Sequence, residues 1–182
     1  YYLPKITNDG KNYINQTYSI IAKVDTHNFT RNINIIKKYK KLLILYNIQD
    51  PHNLSSCIKI SEAFGIELII ITQTNTSKIN TLINNISNGT SLLLKILLVK
   101  NINNLINILH NNNFKLIALS IKGDEKPITK LKKFAVLMGS EKNGIKKTII
   151  KQCHYTYKIK TYGLFNSINV AVATAIILNK LT

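Results

Sequence analysis

Acidic side chains, arginine and cysteine are all scarce in this chain of 182 residues. Asp and Glu together number 8 against 25 Lys plus Arg, so the formal net charge is +17, and Arg31 is the single arginine. Part of this excess is compositional drift, because Ile, Asn and Lys, whose codons are the most A- and T-rich, make up 80 of the residues. Whatever its origin, such a charge attracts polyanions, and it favours nucleic acid as the partner over a merely solvated surface.

Long hydrophobic runs are also absent. The apolar stretches fall far short of the roughly 20 residues that a membrane span needs, and no signal peptide is visible. Cys57 and Cys153 form neither a disulfide framework nor a metal-binding spacing, and we expect Cys153 and His154 to be an ordinary pair at a strand edge. The sequence therefore predicts a cytoplasmic protein with no metal and no membrane partner. Because it begins at Tyr1 rather than Met, an N-terminal portion is expected to be missing.

The pattern along the chain predicts one domain with its own core, since 45% of the residues are hydrophobic. Residues 1–18 have no clear period and predict a tail or linker remnant, and residues 19–182 form the domain. Apolar runs of strand length alternate there with helical patterns of about ten residues, which predicts an α/β fold with a mainly parallel sheet flanked by helices. The predicted strands cover residues 19–24, 41–47, 66–72, 95–99, 115–119, 134–138 and 155–159. The predicted helices cover residues 33–40, 54–64, 78–86, 102–111, a segment from about 143, and 167–181, and a polar loop is predicted at 123–127.

Three loops attract attention because ligands bind beyond the carboxyl ends of the strands in sheets of this kind. The first loop, residues 49–53, ends at Asn53, which is either the N-cap of the next helix or a functional amide. Lys59 follows six residues later. It is either a solvated helix lysine or a side chain that reaches the same strand-end region.

The second loop, residues 139–144, places Glu141 between two glycines. Glycine allows a ligand to approach the main chain closely, and the spacing matches neither a phosphate loop nor a dinucleotide fingerprint. Main-chain amides with one acid suit a cationic or neutral ligand.

The third loop, residues 161–167, leads into the last helix. Ser167 is the predicted N-cap, and small residues at 171, 173 and 175 allow something bulky to press against the helix. Asn169 is predicted to lie inside the first turn without a structural duty. Its amide is therefore expected to bond to a loop or a ligand.

Together these segments resemble the motifs of the SpoU (TrmH-like) family of RNA ribose 2′-O-methyltransferases, in the SPOUT superfamily. Residues 50–65 are similar to a motif in which an Asn is followed by five residues, an Arg and a helix that ends in Gly. Residues 136–145 are close to the second motif, and residues 167–173 look like the third, S-L-N-V-S-V-A. Three motifs in order at this spacing are a specific signal, and the resemblance covers roughly residues 19–182. It is nearest to the enzymes that act on guanosine of 23S ribosomal RNA, which often carry a small RNA-binding domain before this point.

The resemblance implies S-adenosylmethionine as methyl donor, a deep trefoil knot in the C-terminal part, and a homodimer with its sites near the interface. It implies RNA as substrate, with ribosomal RNA first and tRNA as an alternative. The catalytic residues that it implies are Asn53, Lys59, Glu141 and Asn169. The cofactor-binding residues that it implies are Met138, Gly139, Ile159, Ser167 and Ile168.

Two positions depart from the family pattern. Lys59 stands where the family has an arginine that activates the ribose hydroxyl, and the two side chains are not interchangeable, because only lysine gives up its proton readily when buried. Residues 159–161 read Ile-Lys-Thr where the family has Ile-Pro-Met, which removes a rigid turn. The first departure leaves a second hypothesis open, an RNA-binding or ribosome-assembly protein that keeps the fold and has lost catalysis.

Overall fold

The structure, a computed structural model, describes residues 29–72, 94–125, 131–140, 142–164 and 168–182. The strands of this described part are β1 (Phe29–Thr30), β2 (Lys41–Tyr46), β3 (Leu68–Thr72), β4 (Lys95–Val99), β5 (Lys115–Asp124), β6 (Phe134–Gly139) and β7 (Tyr155–Tyr157). Its helices are α1 (Pro51–Ala63), α2 (Ile102–Asn111), α3 (Lys147–Ile150), α4 (Val170–Leu181) and a 3₁₀ helix (Ile33–Lys38). The strands form one sheet in the order β1-β4-β3-β2-β6-β5-β7, and every paired strand is parallel to its neighbour. The predicted α/β fold with a parallel sheet is thus confirmed.

The central strands are buried on both faces, as their continuous apolar sequences predict. In β2, Leu42 belongs to the apolar cluster on one face of the sheet and Leu43 to the cluster on the other, because successive side chains of a strand alternate. Leu43 is in register with Ile69 of β3 and Val136 of β6, and all three are fully buried. The middle of the sheet is therefore a rigid platform for the loops at its edge.

Helices cover both faces of this platform. α1 and α4 contribute Leu54 and Ile177 to the cluster that contains Leu43. The 3₁₀ helix, α2 and α3 contribute to the opposite cluster, for example through Ile36 and Leu109. Since α1 and α4 pack on one face and each follows a strand of the parallel sheet, both helices begin at the carboxyl-terminal end of the strands.

Several predicted elements match closely. β4 and α2 have the predicted bounds, and β2 and β6 differ from prediction by one residue. α1 ends before Gly65, which has φ +66° and stops the helix as expected. The local pattern of apolar residues was sufficient to predict the bounds of these elements.

Other elements differ from prediction. β5 was expected to end at residue 119, but it continues to Asp124 and pairs with Tyr157 of β7 after an irregularity beyond Leu119. The helix expected from about residue 143 begins only at Lys147, because a closed turn occupies the preceding residues. The helix expected over residues 33–40 is the shorter 3₁₀ helix.

The predicted strand 19–24, the predicted helix 78–86 and the expected domain boundary after residue 18 lie outside the described residues. Among the residues that the structure does describe, no helix has the length and apolar character to cross a membrane.

Candidate functional site

The loops singled out in the sequence lie at the carboxyl-terminal edge of the sheet. β2 and β6 are neighbours, and their last residues, Tyr46 and Gly139, are paired in register, so the loops that follow them begin side by side. β7 lies two strands away from β6, beyond β5. This edge is where parallel sheets bind their ligands.

The first loop leads into helix α1, and the N-cap of this helix is Asp50. The Asp50 carboxylate accepts a hydrogen bond from the backbone N–H of His52 at 3.0 Å, and Pro51 occupies the first helical position, where no N–H is needed. The interpretation of Asn53 as the N-cap is therefore wrong. Asn53 lies half-buried in the first turn, and its side chain has a different partner.

Helix α4 begins at Val170, three residues later than predicted, because its N-cap is Asn169. The Asn169 Oδ1 accepts a hydrogen bond from the N–H of Ala171 at 2.8 Å. Ser167, the predicted cap, lies outside the described residues, and α4 begins too late for it to be the N-cap, so that prediction is wrong. The expectation that Asn169 has no structural duty is wrong for the same reason.

One side-chain hydrogen bond joins the starts of the two helices. The Asn169 Nδ2 donates to the Asn53 Oδ1 at 2.8 Å, although the residues are 116 positions apart in sequence. Asn169 thus uses its oxygen as a helix cap and its NH₂ group as a donor, which fixes the orientation of both amides. The prediction that Asn169 bonds to a loop or a ligand is wrong as to the loop, because its partner Asn53 lies in the first turn of α1.

Close packing of α1 on α4 supports this pair. Ala171 and Ala173 are small side chains that are buried in the apolar cluster shared by α1 and α4. In the buried interface, the Cys57 Sγ and the Thr174 Oγ1 lie 3.6 Å apart. The two amides therefore sit on a rigid helix pair and not on independent loops.

A tight turn follows β6, from Ser140 to Gly144. The Gly144 N–H donates to the Ser140 carbonyl oxygen at 2.8 Å, and Gly144 has φ +58°, a conformation that favours glycine. A Cβ added at Gly139 would lie 2.7 Å from the Gly144 carbonyl oxygen, so the turn closes only over a glycine. Glu141, the predicted acid of this turn, lies outside the described residues.

A cavity of about 520 Å³ opens between this turn, the end of β5 and the segment that links β7 to α4. Four of the five residues predicted to contact a cofactor line it, namely Met138, Gly139, Ile159 and Ile168. The fifth, Ser167, lies outside the described residues. The structure therefore brings the predicted cofactor residues that it describes into one cavity.

Asn53 and Asn169 are not among the residues that line this cavity, but they lie next to its wall. Asn169 stands between Ile168 and Val170, and both of these neighbours line the cavity wall. The hydrogen bond to Asn169 holds Asn53 beside the same wall. Two of the four predicted catalytic residues, Asn53 and Asn169, are thus joined beside the cavity that the predicted cofactor residues line.

The end of β5 is the part of the cavity wall that sequence reasoning missed. Ser120, Ile121 and Lys122 line the cavity, but they lie beyond the predicted end of the strand. The signal that could have located them is the apolar pattern that continues through Leu119 to Ile121.

Lysines give the cavity a positive entrance. The four that line it are Lys122, Lys142, Lys147 and Lys158. Lys158 forms an ion pair with Glu125 at 3.4 Å, and the other three make no ion pair with a described residue. Unpaired lysines at an entrance attract phosphate groups.

Lys59 lies on α1, half-buried, at a rise of about 9 Å along the helix axis from Asn53. It is not among the described residues that line the cavity. Within the described part of the chain, its side chain makes no ion pair or hydrogen bond. The structure therefore joins Asn53 and Asn169 but does not bring Lys59 to them.

The adjacent Cys153 and His154 are structural. The Leu116 N–H donates to the His154 Nδ1 at 3.1 Å, and the His154 N–H donates to the Leu116 carbonyl oxygen, so the predicted strand-edge role of His154 is confirmed. Burial raises the pKa of the Cys153 thiol to about 11, which leaves it without the thiolate that a nucleophile needs. No group of three or more metal-ligating side chains occurs among the described residues.

The sequence is similar to a known protein family and to several of its members. The model of the SpoU rRNA Methylase family matches residues 40–179. A Borreliella burgdorferi protein named as an uncharacterized tRNA/rRNA methyltransferase is 34% identical over 161 residues, which are 86% of this chain and 71% of that protein. RlmB of Blochmanniella floridana, named as a 23S rRNA (guanosine-2′-O-)-methyltransferase, is 29% identical over 139 residues, which are 75% of this chain and 55% of that protein.

A solved structure gives the same fold. The SpoU methyltransferase AviRb from Streptomyces viridochromogenes, in complex with the cofactor AdoMet, superimposes with a TM-score of 0.74 at 19% identity. The match covers 82% of this chain and 63% of AviRb, so the chain spans between about half and three quarters of the proteins compared.

The fold and the family match together define an RNA methyltransferase domain. The chain belongs to the SpoU rRNA methylase family.

Proposed function

We propose that the domain transfers a methyl group from S-adenosylmethionine to a ribose 2′-oxygen, at a guanosine of large-subunit ribosomal RNA. The observation that carries this proposal is the Asn53–Asn169 hydrogen bond, which joins two amides beside Ile168 and Val170 in the wall of the cavity that the predicted cofactor residues line. The name of the Blochmanniella floridana relative supports the guanosine ribose of 23S ribosomal RNA as the target.

The cavity suits the cofactor in size and in chemistry. Its volume of about 520 Å³ falls in the range of roughly 300–1,000 Å³ that is common for small-molecule sites. Met138, Ile159 and Ile168 provide apolar walls for a purine ring, and the turn from Ser140 to Gly144 provides main-chain polar groups for its edges. When bound, S-adenosylmethionine supplies an electrophilic methyl group. The residues that would hold it are Met138, Gly139, Ile159, Ser167 and Ile168.

The ribose 2′-hydroxyl is a weak nucleophile, and its proton must leave as the new carbon–oxygen bond forms. We assign Lys59 to orient or deprotonate this hydroxyl, the role that the resemblance implies for the basic residue at this position. The Asn169 amide keeps a second N–H beyond the one given to Asn53, and it can donate this hydrogen to a substrate oxygen. Glu141 completes the proposed reaction centre.

RNA would approach over the lysines at the cavity entrance. Lys122, Lys142 and Lys147 are exposed and can contact phosphates on either side of the target nucleotide. The net charge of +17 assists the encounter over a longer range. The 2′-hydroxyl itself distinguishes RNA from DNA.

A trefoil knot in the C-terminal part and a homodimer complete the proposal, and both follow from the resemblance to the family. Three apolar side chains near the site support the homodimer, because they are left exposed in the single chain: Tyr162 at 87%, Leu164 at 98% and Val172 at 52%. A cytoplasmic location, where ribosomal RNA is modified, belongs to the same proposal.

Two alternatives have observations in their favour. The name of the Borreliella burgdorferi relative includes tRNA, so the same chemistry on tRNA is a candidate. The lysine at position 59 favours an RNA-binding protein that has lost catalysis.

Methylation mapping tests the proposal and its alternatives together. The protein is incubated with labelled S-adenosylmethionine and with unmodified ribosomal RNA or unmodified tRNA, and the labelled nucleotides are located. We expect label at a guanosine ribose of the ribosomal RNA. Label confined to tRNA would replace the target, and RNA binding without label in either RNA would favour the non-catalytic protein.

A further inference from the structure

A second cavity lies at the carboxyl ends of β1 and β4, well away from the cofactor cavity along the sheet. Its volume is about 300 Å³, and it shares no described lining residue with the larger one. Two basic side chains, Arg31 and Lys100, line it together with three apolar residues and two asparagines.

The two basic side chains are free to bind an anion. Arg31 and Lys100 are exposed, and neither forms an ion pair or a side-chain hydrogen bond within the described part of the chain. Arg31 is also the single arginine among 25 basic residues. Its planar guanidinium can hold a phosphate with two hydrogen bonds, or stack on a base, in a way that lysine cannot.

The rest of the wall suits the sugar and base of a nucleotide. Leu98 and Val99 are buried at the end of β4, and with the half-buried Ile33 they form an apolar floor. Asn101 is committed to the structure, because its Oδ1 accepts the N–H groups of residues 103 and 104 as the cap of α2. The Asn104 side chain has no hydrogen-bond partner among the described residues and offers both a donor and an acceptor.

This cavity lies at the same edge of the sheet as the proposed active site. β1 and β4 end at the same edge of the sheet as β2, because all these strands are parallel. β1 is three strands from β2, so the ends of these two strands lie about 14 Å apart along this edge. A few nucleotides of single-stranded RNA span such a distance.

We propose that this cavity, defined by Arg31, Lys100 and Asn104, binds one nucleotide of the substrate RNA, with the phosphate on the two basic side chains. This inference rests on the proposed function, since it takes the RNA to be the one whose ribose is methylated at the cofactor cavity. The subsite would hold the strand at a second point and so fix which nucleotide reaches the asparagine pair.

RNA binding at several salt concentrations tests the subsite. A fluorescent single-stranded fragment of ribosomal RNA is titrated with the full chain and with the variants Arg31→Ala, Lys100→Ala and Arg31→Lys. Lys132→Ala is the matched control. It removes an exposed lysine just before β6, at the amino-terminal ends of the strands, whereas Arg31 and Lys100 lie at the carboxyl-terminal ends. Thermal unfolding and S-adenosylmethionine binding are measured for each variant.

We expect Arg31→Ala and Lys100→Ala each to weaken RNA binding about threefold more than the control does, and to reduce the slope of log K against log salt by about 1. Arg31→Lys keeps the charge and the salt slope but loses the two-bond geometry, so we expect an affinity between those of the native chain and Arg31→Ala. Unfolding temperature and cofactor affinity should stay as in the native chain.

Variants at residues 31 and 100 that match Lys132→Ala in affinity and salt slope would overturn the subsite. If the native chain still methylates RNA in that case, the proposed function stands without it. A native chain that binds cofactor but neither binds nor methylates RNA would overturn the proposed function, and the subsite with it.

Discussion

The side-chain amide of Asn169 donates a hydrogen bond to the Asn53 side-chain oxygen at 2.8 Å and so connects the first turns of two helices that pack on one face of the sheet. Asn169 also caps α4 through its own oxygen. One residue therefore has a structural and a positioning task, carried by different atoms. Substitutions can separate the two.

Replacing Asn169 tests this division of tasks. Asn169→Ala removes the cap and the bond to Asn53, so we expect a loss of about 1 kcal/mol in the free energy of unfolding, together with a loss of methyl transfer. Asn169→Ser keeps a capping oxygen but is too short to reach Asn53. We expect near-native stability with strongly reduced methyl transfer, measured by urea unfolding and by initial rates. Equal activity losses without any stability difference between the two variants would contradict the capping role.

Gly139 provides a second test, with a matched glycine in the same region. A Cβ at residue 139 would meet the Gly144 carbonyl oxygen at 2.7 Å, whereas a Cβ at Gly163 would meet nothing within 4 Å. We expect Gly139→Ala to lower the free energy of unfolding by about 1–3 kcal/mol and to weaken S-adenosylmethionine binding at least about tenfold, because the turn lines the cavity. Gly163→Ala should leave stability unchanged. Calorimetric titration and thermal unfolding measure both, and similar behaviour of the two variants would disprove the close approach.

Substitutions of Lys59 test whether its side chain acts on the ribose 2′-hydroxyl. Lys59→Met removes the amine, and we expect methyl transfer to fall by roughly a factor of 100–10,000 while cofactor affinity stays the same. Lys59→Arg restores the side chain of the family motif, and a rise in rate is the expected result for an enzyme weakened at this position. Lys132→Met serves as the control for loss of one positive charge. Full activity of Lys59→Met would remove Lys59 from the reaction centre.

His154 makes the stability of the fold depend on pH. Partial burial, and then the charges of Lys115 and His110, hold the pKa of His154 below its ordinary value, and its Nδ1 must be unprotonated to accept the Leu116 N–H. Because the folded pKa is the lower one, the unfolded chain binds more protons between the two values. The stability from this group is present above the unfolded pKa of about 6.5 and is lost as the pH falls through the folded pKa.

Urea unfolding at pH 5 and pH 7.5 measures this effect. We expect lower stability at pH 5, and a smaller difference between the two pH values in His154→Gln. His52→Gln, which replaces an exposed histidine at the start of α1, should keep the native difference. A His154→Gln variant with the full native difference would show that another group is responsible.

Much of the sheet could be predicted from sequence, because each buried strand is a short apolar run bounded by turn residues. The same local pattern could not place the helix starts. Asp50 and Asn53 are both good caps, and only the structure shows that Asp50 has that task. The Asn53–Asn169 bond spans 116 positions and depends on the packing of α1 on α4, which no periodicity reveals. The end of β5 was missed because its pairing with β7 extends past an irregularity at Leu119.

The site was predictable to the extent that it rests on motifs. Met138, Gly139, Ile159 and Ile168 were assigned from the resemblance, and they line one cavity. The cavity at Arg31 was not predicted, because its lining comes from the segment after β1, the end of β4 and the start of α2, which lie outside all three motifs.

The most direct test of the account is the chemical position of the transferred methyl group. The native chain is incubated with labelled S-adenosylmethionine and unmodified ribosomal RNA, and the RNA is then hydrolysed with alkali. A methyl group on the ribose 2′-oxygen blocks cleavage of the adjacent phosphodiester bond, so the account predicts that the label appears in an alkali-resistant dinucleotide that contains guanosine. Label on a mononucleotide base, or no label although the cofactor binds, would contradict it.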